Sequence, residues 1–357
     1  MPKRVFIIPE PHIWDKNFKN RKGYPAEISG YLQEIIEHIK SLDGDKIIIF
    51  PGDIFHQGFT SVSGMTRALN FFVTLNRITD GNVYSVVGNH ELTYTNNNPF
   101  WMMAEDYTSR FAVQKSYAAY GIFKPGIKIK DSLVVGNLRF IFGHYGRTDY
   151  DVMPGNEDLI LISHNSLIES TIEATMKDKY KRNLPTEYMK VTRLTSSAAI
   201  PLTSILKYVF VGHMHTMYSQ FLVDDESSGV HLKFCLRYLG SLGRTSIREV
   251  DNSDLTRTIP QFVVQADGSY TYEPFNIQLQ NYEQTIDLAV AKENEVKAAK
   301  VKTLKHIAAT NSFGETPEDC IRRELADTPA YLSLFNEIFN HFTDNDIVTL
   351  LKEAKLL

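Results

Sequence analysis

Five short polar clusters hold most of the residues that could do chemistry. Glu10 and His12 come first, then Gly52-Asp53-Ile54-Phe55-His56, then Gly88-Asn89-His90-Glu91. His164 is the fourth, and Gly212-His213-Met214-His215 the fifth. Histidine, carboxylate and asparagine without cysteine suit borderline-hard divalent ions such as Mn, Fe or Zn. A carboxylate shared by two such ions holds them roughly 3.5–4 Å apart, and such pairs hydrolyse phosphoesters. One ion activates water, and both stabilise the charge that develops on the phosphate. A single histidine after a strand is usually no ligand. The ordered set of five carries the dinuclear reading. His144, in Gly143-His144-Tyr145, competes with His164 for fourth place; His164 is preferred because it directly follows the more apolar run.

Each cluster follows an apolar segment that must position it. Residues 5–8, 46–50 and 83–87 read as buried strands before the first three clusters. Residues 158–163 and 208–211 precede the last two. Leu32, Ile35, Ile36 and Ile39 recur at helical spacing and predict a helix over 28–42, with a second over 66–78. Strand and helix thus alternate up to about residue 90, as in βαβ units. Ligands of such sheets sit beyond the carboxyl ends of the strands, so the five clusters should converge there. The glycines before Asp53, Asn89 and His213 are read as permitting sharp turns. Further strands are predicted at 121–130, 132–135 and 138–142. Residues 165–204 are polar, with the run Lys177 to Arg182, and read as a helical insertion or lid. Residues 219–280 alternate and contain the hairpin signal Asp267-Gly268. From about Tyr282 the chain reads as helical.

The 357 residues are 43% hydrophobic and 22% charged, with a formal net charge of −4. That composition supports a sizeable core and argues against a strongly basic nucleic-acid binder. No run of about 18 apolar residues exists, so no membrane span is expected. The start of the chain lacks the long apolar stretch of a secretory signal. Cys235 and Cys320 have no CxxC spacing, which argues against a disulfide framework or a cysteine zinc site. A reducing, cytoplasmic setting is expected, the host cytoplasm if the chain is phage-encoded.

The order of these motifs resembles that of the calcineurin-like metallophosphoesterases, over about residues 4–248. The subset it looks most like is the SbcD-type nucleases, the exonuclease and endonuclease subunits of double-strand-break repair and recombination complexes. Gly52-Asp53-Ile54-Phe55-His56 has His where the Ser/Thr protein phosphatases have Asp. Tyr238 to Ser246 is similar to the Gly-Ser-x-x-Arg-Thr segment of these nucleases. The resemblance implies an α/β fold: a two-sheet β-sandwich flanked by helices, a small α+β capping domain and a helical C-terminal tail. The domains would be a catalytic core at 1–218 with the insertion at 165–204, the end of the core with a β-rich cap at 219–282, and a tail at 283–357. One ion would take Glu10, His12, Asp53 and His215. The other would take Asp53, Asn89, His164 and His213. Mn is the expected metal, with Mg, Fe or Zn as alternatives. His90 resembles the catalytic histidine and His56 a second phosphate-facing one. One departure stands out: the family has Asp-x-His at the first motif, and this chain has Glu10-Pro11-His12.

DNA and an SbcC-like ATPase docked on the tail are the partners this resemblance implies, with a homodimer and no membrane. Lys16, Lys19, Arg21, Lys22 and Arg244 are the candidate DNA contacts. Trp14, Phe18 and Tyr24 interleave with the first basic group and would either stack on a frayed base or cap the core. Dimerisation would use residues 66–78, with Leu69, Phe72, Val73 and Leu75, or residues 98–111, with Phe100 to Met103; core packing is the alternative for both. Two other functions stay open: a phosphoesterase of small diesters, nucleotides or phosphoproteins, and a non-catalytic scaffold in which Glu10 is the lesion.

Overall fold

The computed structural model describes residues 1–18, 21–57, 61–93, 99–106, 126–147, 156–165, 167–168, 189–190, 206–213, 215, 218–224, 233–243, 245, 256–281 and 285. The chain divides into two units, Met1–Ile286 and Asp287–Leu357, and every described residue lies in the first. The expected helical tail, nearly all of the insertion at 165–204, Lys19 and Arg244 therefore lie outside the described residues.

The first sheet is built on β1 (Lys3–Ile7), β2 (Asp45–Phe50) and β3 (Val83–Ser85), which run parallel. Helix α1 (Tyr24–Ser41) joins β1 to β2, and α2 (Val62–Ile78) joins β2 to β3. The short helices α3 (Asn89–Thr93) and α4 (Pro99–Met103) follow β3. Strands β4 (Ala104–Asp106) and β5 (Ile127–Lys128) extend one edge. The second sheet contains β6 (Ser132–Val135), β7 (Leu138–Gly143) and β8 (Asp158–Ser163). Past the small pair β9 (Leu167–Ile168) and β10 (Met189–Lys190), it continues with β11 (Leu206–Val211), β12 (Tyr218–Asp224) and β13 (Lys233–Tyr238). Its order is β12-β13-β11-β8-β7-β6, with β7, β8, β11 and β13 parallel. The last strands are β14 (Thr256–Ile259), β15 (Gln261–Val264), β16 (Tyr270–Tyr272) and β17 (Phe275–Gln278).

The apolar runs are strands because both of their faces are buried. Val5, Ile7, Ile47 and Ile49 pack with Phe140, Ile160 and Phe210 of the facing sheet and with Phe262 of their own. Phe6, Ile8, Ile48 and Phe50 point the other way, against Ile28, Ile35 and Ile39 of α1 and Phe72 and Leu75 of α2. Each fully buried side chain of this size contributes about 1.5–3 kcal/mol by leaving water. Ser61 caps α2 by accepting the Gly64 N–H at 3.0 Å.

Of the described strands of 219–282, β12 and β13 join the second core sheet, β15 and β16 the first, and β14 and β17 pair apart. The Asp267-Gly268 hairpin does form, between β15 and β16, with Gly268 at φ +87°. Phe72, Leu75, Phe100, Trp101 and Met103, offered as dimer surfaces, are core. Arg21 is also buried; its guanidinium pairs with Glu27, whose other oxygen accepts from Tyr31 Oη at 3.0 Å. It presents no charge to DNA. Among the described residues, no helix is long and apolar enough to cross a membrane.

Candidate metal centre

The carboxyl ends of β1, β2, β3, β8 and β11 deliver their side chains to one point. Glu10, His12, Asp53 and His164 are at most 1% exposed there. His12 Nε2 lies 2.9 Å from His215 Nε2 and 3.5 Å from Glu10 Oε2. Glu10 Oε2 is 3.7 Å from His215 Nε2. Beside this group, Asn89 Oδ1 is 2.9 Å from both His164 Nε2 and His213 Nδ1. Asp53 Oδ2 stands between the groups, 3.2 Å from His164 Nε2 and 4.0 Å from His12 Nε2. A third cluster joins His12 to His56 and His90. All nine residues proposed for metal and catalysis are thus brought together. His144 is not: its Nδ1 accepts the Val87 N–H at 3.0 Å and its Nε2 donates to the Lys130 carbonyl at 3.1 Å.

The donor set fits divalent cations. Glu10 Oε2 and His12 Nδ1 are buried without a hydrogen-bond partner, and two imidazole Nε2 atoms face one another beside two carboxylates. Such a concentration of lone pairs is stable only around a cation. Burial alone would raise the Glu10 carboxyl, but His164 and His12 outweigh it and hold it well below the usual range. Asp53 follows the same pattern, lowered to about 2. His164 is buried, which disfavours its charge, yet Asp53 and Glu10 hold its pKa well above the ordinary value. In the metal-free chain its imidazolium balances the two carboxylates. Ligation needs the neutral ring, so metal binding releases that proton. Burial, with the charge of His164 beside it, pushes His213 down to about 4.

Glu10, one methylene longer than the family's aspartate, is accommodated. Its Oε1 accepts the His213 backbone N–H and lies 2.9 Å from His164 Nδ1, which leaves Oε2 aimed at His12 and His215. Leu242 N–H donates to the Glu10 carbonyl at 2.7 Å, so the segment after β13 seats the residue. Room for the longer arm comes from Gly212: a Cβ there would stand 2.3 Å from Glu10 Oε1. This revises the reading of the motif glycines. Only Gly52 among them has a positive φ, +111°. At Gly88 a Cβ would stand 2.2 Å from Asp53 Oδ1. The left-handed turns are made by the ligands themselves, His12 at +44°, Asp53 at +46° and His213 at +63°. Gly212→Ala is therefore expected to displace Glu10 and weaken metal binding about tenfold in a calorimetric titration, the scale of a disturbed ligand support. Unchanged affinity would remove the packing role of this glycine.

Supporting residues complete the site. His164 Nδ1 faces the Pro51 carbonyl at 2.8 Å, and His215 Nδ1 lies 3.2 Å from Thr245 Oγ1; both contacts orient a ring. His90 Nδ1 donates to the His56 carbonyl, which leaves Nε2 facing Asp53 Oδ2 at 3.8 Å. Burial, joined by His12 and His90, pushes His56 down to about 3. Glu91 had no role in the sequence reading. It is fully buried and accepts backbone N–H groups from Gly88, Asp53 and Ile54 at 2.8, 3.0 and 3.0 Å. Burial and the Asp53 charge push it up to about 8, against the His164 charge and the Gly88 and Asp53 donors. The signal was its place one residue after Asn89-His90. Of the candidate DNA contacts, Lys16 and Lys22 are exposed near the first motif.

No curated protein matches the chain in sequence. Solved structures similar to it include a 5′-nucleotidase precursor from Thermus thermophilus, at 12% identity and TM-score 0.39, covering 85% of this chain and 60% of that one. A putative 5′-nucleotidase from Staphylococcus aureus, in complex with alpha-ketoglutarate, shows 13% identity and TM-score 0.39 over 83% and 58%. The calcineurin-like phosphoesterase YfkN from Bacillus subtilis shows 11% identity and TM-score 0.37 over 84% and 97%. The chain thus spans less than two thirds of either nucleotidase. The calcineurin-like phosphoesterase family matches residues 12–217, more than half of the sequence and every motif from His12 to His215. The chain belongs to the calcineurin-like phosphoesterases, metal-dependent hydrolases of phosphoesters.

Proposed function

We propose that this chain is a phosphodiesterase acting on DNA, the nuclease subunit of an SbcCD-like complex. The observation that carries the reading is the placement of His56. Its ring centroid lies 4.6 Å from that of His90 and 5.6 Å from that of His12, at the edge of the metal cluster. The resemblance puts a phosphate-facing histidine there in nucleases and an aspartate in protein phosphatases. Two divalent ions, Mn by preference, supply an activated water and charge stabilisation when bound. Glu10, His12, Asp53 and His215 would hold one; Asp53, Asn89, His164 and His213 would hold the other. His90 presents Nε2 to the phosphate or its leaving oxygen because the His56 carbonyl fixes the other ring nitrogen. Exposed Lys16 and Lys22 position the DNA backbone by charge alone. The cytoplasm, an ATPase partner bound through residues 283–357 and a homodimer complete the reading.

The test is degradation of linear double-stranded DNA with Mn, Mg or EDTA. Mn-dependent loss of DNA, abolished by EDTA, is the expected result. Cleavage of bis(p-nitrophenyl) phosphate with DNA left intact, ATPase present, would replace it with the small-substrate reading. The burial of Arg21 favours that alternative, since it removes one cation from the proposed DNA face.

A further inference from the structure

Beyond the metal cluster, the described residues place a set of aromatic rings on its rim. Trp14 and Phe18 lie on the segment after the first motif, and both are partly exposed. Their centroids are 5.1 Å apart. Each also meets the His56 ring, Trp14 at 4.9 Å and Phe18 at 4.5 Å. His56 in turn touches His12 and His90, so the aromatic set begins one ring away from a proposed metal ligand. Tyr24, the third aromatic of this stretch, is excluded. It is fully buried, and its hydroxyl donates to the Pro11 carbonyl at 3.1 Å.

Phe18 packs partly on the core beneath it, while Trp14 belongs to neither buried apolar cluster. Its contacts with Phe18 and His56 are tilted, at 53° and 54°, so neither ring covers an indole face in parallel. A large, partly exposed ring at the mouth of a charged site is a surface on which a planar group can stack. A phosphate held at the metal centre carries its nearest planar group on the attached nucleoside. From this juxtaposition we propose that Trp14 and Phe18, backed by His56, form a shelf that stacks a nucleobase of the substrate. The inference rests on the phosphodiesterase reading and names the chemical class that the site takes. Stacking reads no sequence, because every base has a π-face.

The chain has two tryptophans, and Trp101 is 1% exposed, so the emission of Trp14 is the one a ligand can change. The experiment titrates the metal-loaded full chain with a non-hydrolysable phosphonate analogue of deoxyadenosine 5′-phosphate. The comparison ligand is the corresponding abasic deoxyribose phosphonate. The base-bearing analogue is expected to quench Trp14 and to bind about tenfold more tightly, the scale of one base–aromatic stack. Trp14→Leu should erase that preference and Trp14→Phe should restore it, with Trp101 emission reporting an intact core in each. Equal affinity of the two analogues, with phosphate binding intact, overturns the shelf and leaves the metal-centre reading standing. Binding of neither analogue overturns both. A short single strand that competes better than the mononucleotide assigns the shelf to nucleic acid, and equal competition assigns it to free nucleotides; either result supports a base as the ligand.

Discussion

Asp53→Asn is expected to lower phosphodiester hydrolysis by at least about a thousandfold and to reduce bound metal from two equivalents to one or none. Asp53 is the carboxylate that both proposed ligand sets share. Its Oδ2 lies 3.2 Å from His164 Nε2 on one side and 4.0 Å from His12 Nε2 on the other. Asparagine removes the charge and turns an amide toward one of these groups, so the carboxylate that both proposed ligand sets would share is lost. A loss of about 4 kcal/mol of transition-state stabilisation corresponds to about a thousandfold in rate. Asparagine is a better test than alanine for a backbone reason. Asp53 sits at φ +46°, where asparagine is tolerated and alanine is strained. The Asn Oδ1 also retains the hydrogen bond from the His90 backbone N–H, 2.9 Å in the native chain. The variant should stay folded, and circular dichroism should match that of the native protein. Two bound equivalents with near-native turnover would reject Asp53 as the bridge.

The parts of this site that were legible in the sequence are those written locally. A polar residue within three positions after an apolar run announces the carboxyl end of a buried strand, and Asp53, Asn89, His164 and His213 each follow that rule. The same rule preferred His164 to His144 only by degree, on the more apolar run before it, because both follow apolar strands. What separates them is partners remote in sequence: His144 spends its two ring nitrogens on Val87 and Lys130. Arg21 failed for a related reason. A basic residue near Lys16, Lys19 and Lys22 reads as part of a solvated face. Its pairing with Glu27, which Tyr31 also holds, is visible only once α1 folds back over that segment. The glycines were right in position and wrong in purpose. Turn geometry explains Gly52, whereas Gly88 and Gly212 exist because Asp53 and Glu10 occupy the space of their missing side chains. Sheet membership shows the same limit at a larger scale. Strand order is set by pairings such as β1 with β15, more than 250 residues apart, which no local pattern encodes.

Glu91→Gln is expected to weaken metal binding about 10- to 100-fold and lower turnover to match, although Glu91 belongs to neither ligand set. The side chain ties two loops. Its Oε2 accepts from Gly88 N–H and Asp53 N–H, and its Oε1 from Ile54 N–H. Gly88 belongs to the turn that presents Asn89, and Asp53 is the bridge itself, so one buried carboxylate fixes the spacing of both. Trp101 Nε1 holds the Glu91 carbonyl at 2.9 Å and anchors the residue from behind. Above about pH 8, where Glu91 is ionised, glutamine has the same length but only one acceptor oxygen. Placed at the Oε2 position, that oxygen keeps Gly88 and Asp53, and the amide nitrogen then meets the Ile54 N–H donor to donor. A buried backbone donor left unsatisfied costs about 1–3 kcal/mol, which is about 5- to 150-fold if the loop shifts to relieve it. The loop that shifts is the one carrying Asp53, so the cost appears in metal affinity. Calorimetric titration of the metal, with native-like circular dichroism as the control, measures it. Native affinity in Glu91→Gln would show that the two loops hold their spacing without this carboxylate, and its role would reduce to filling space.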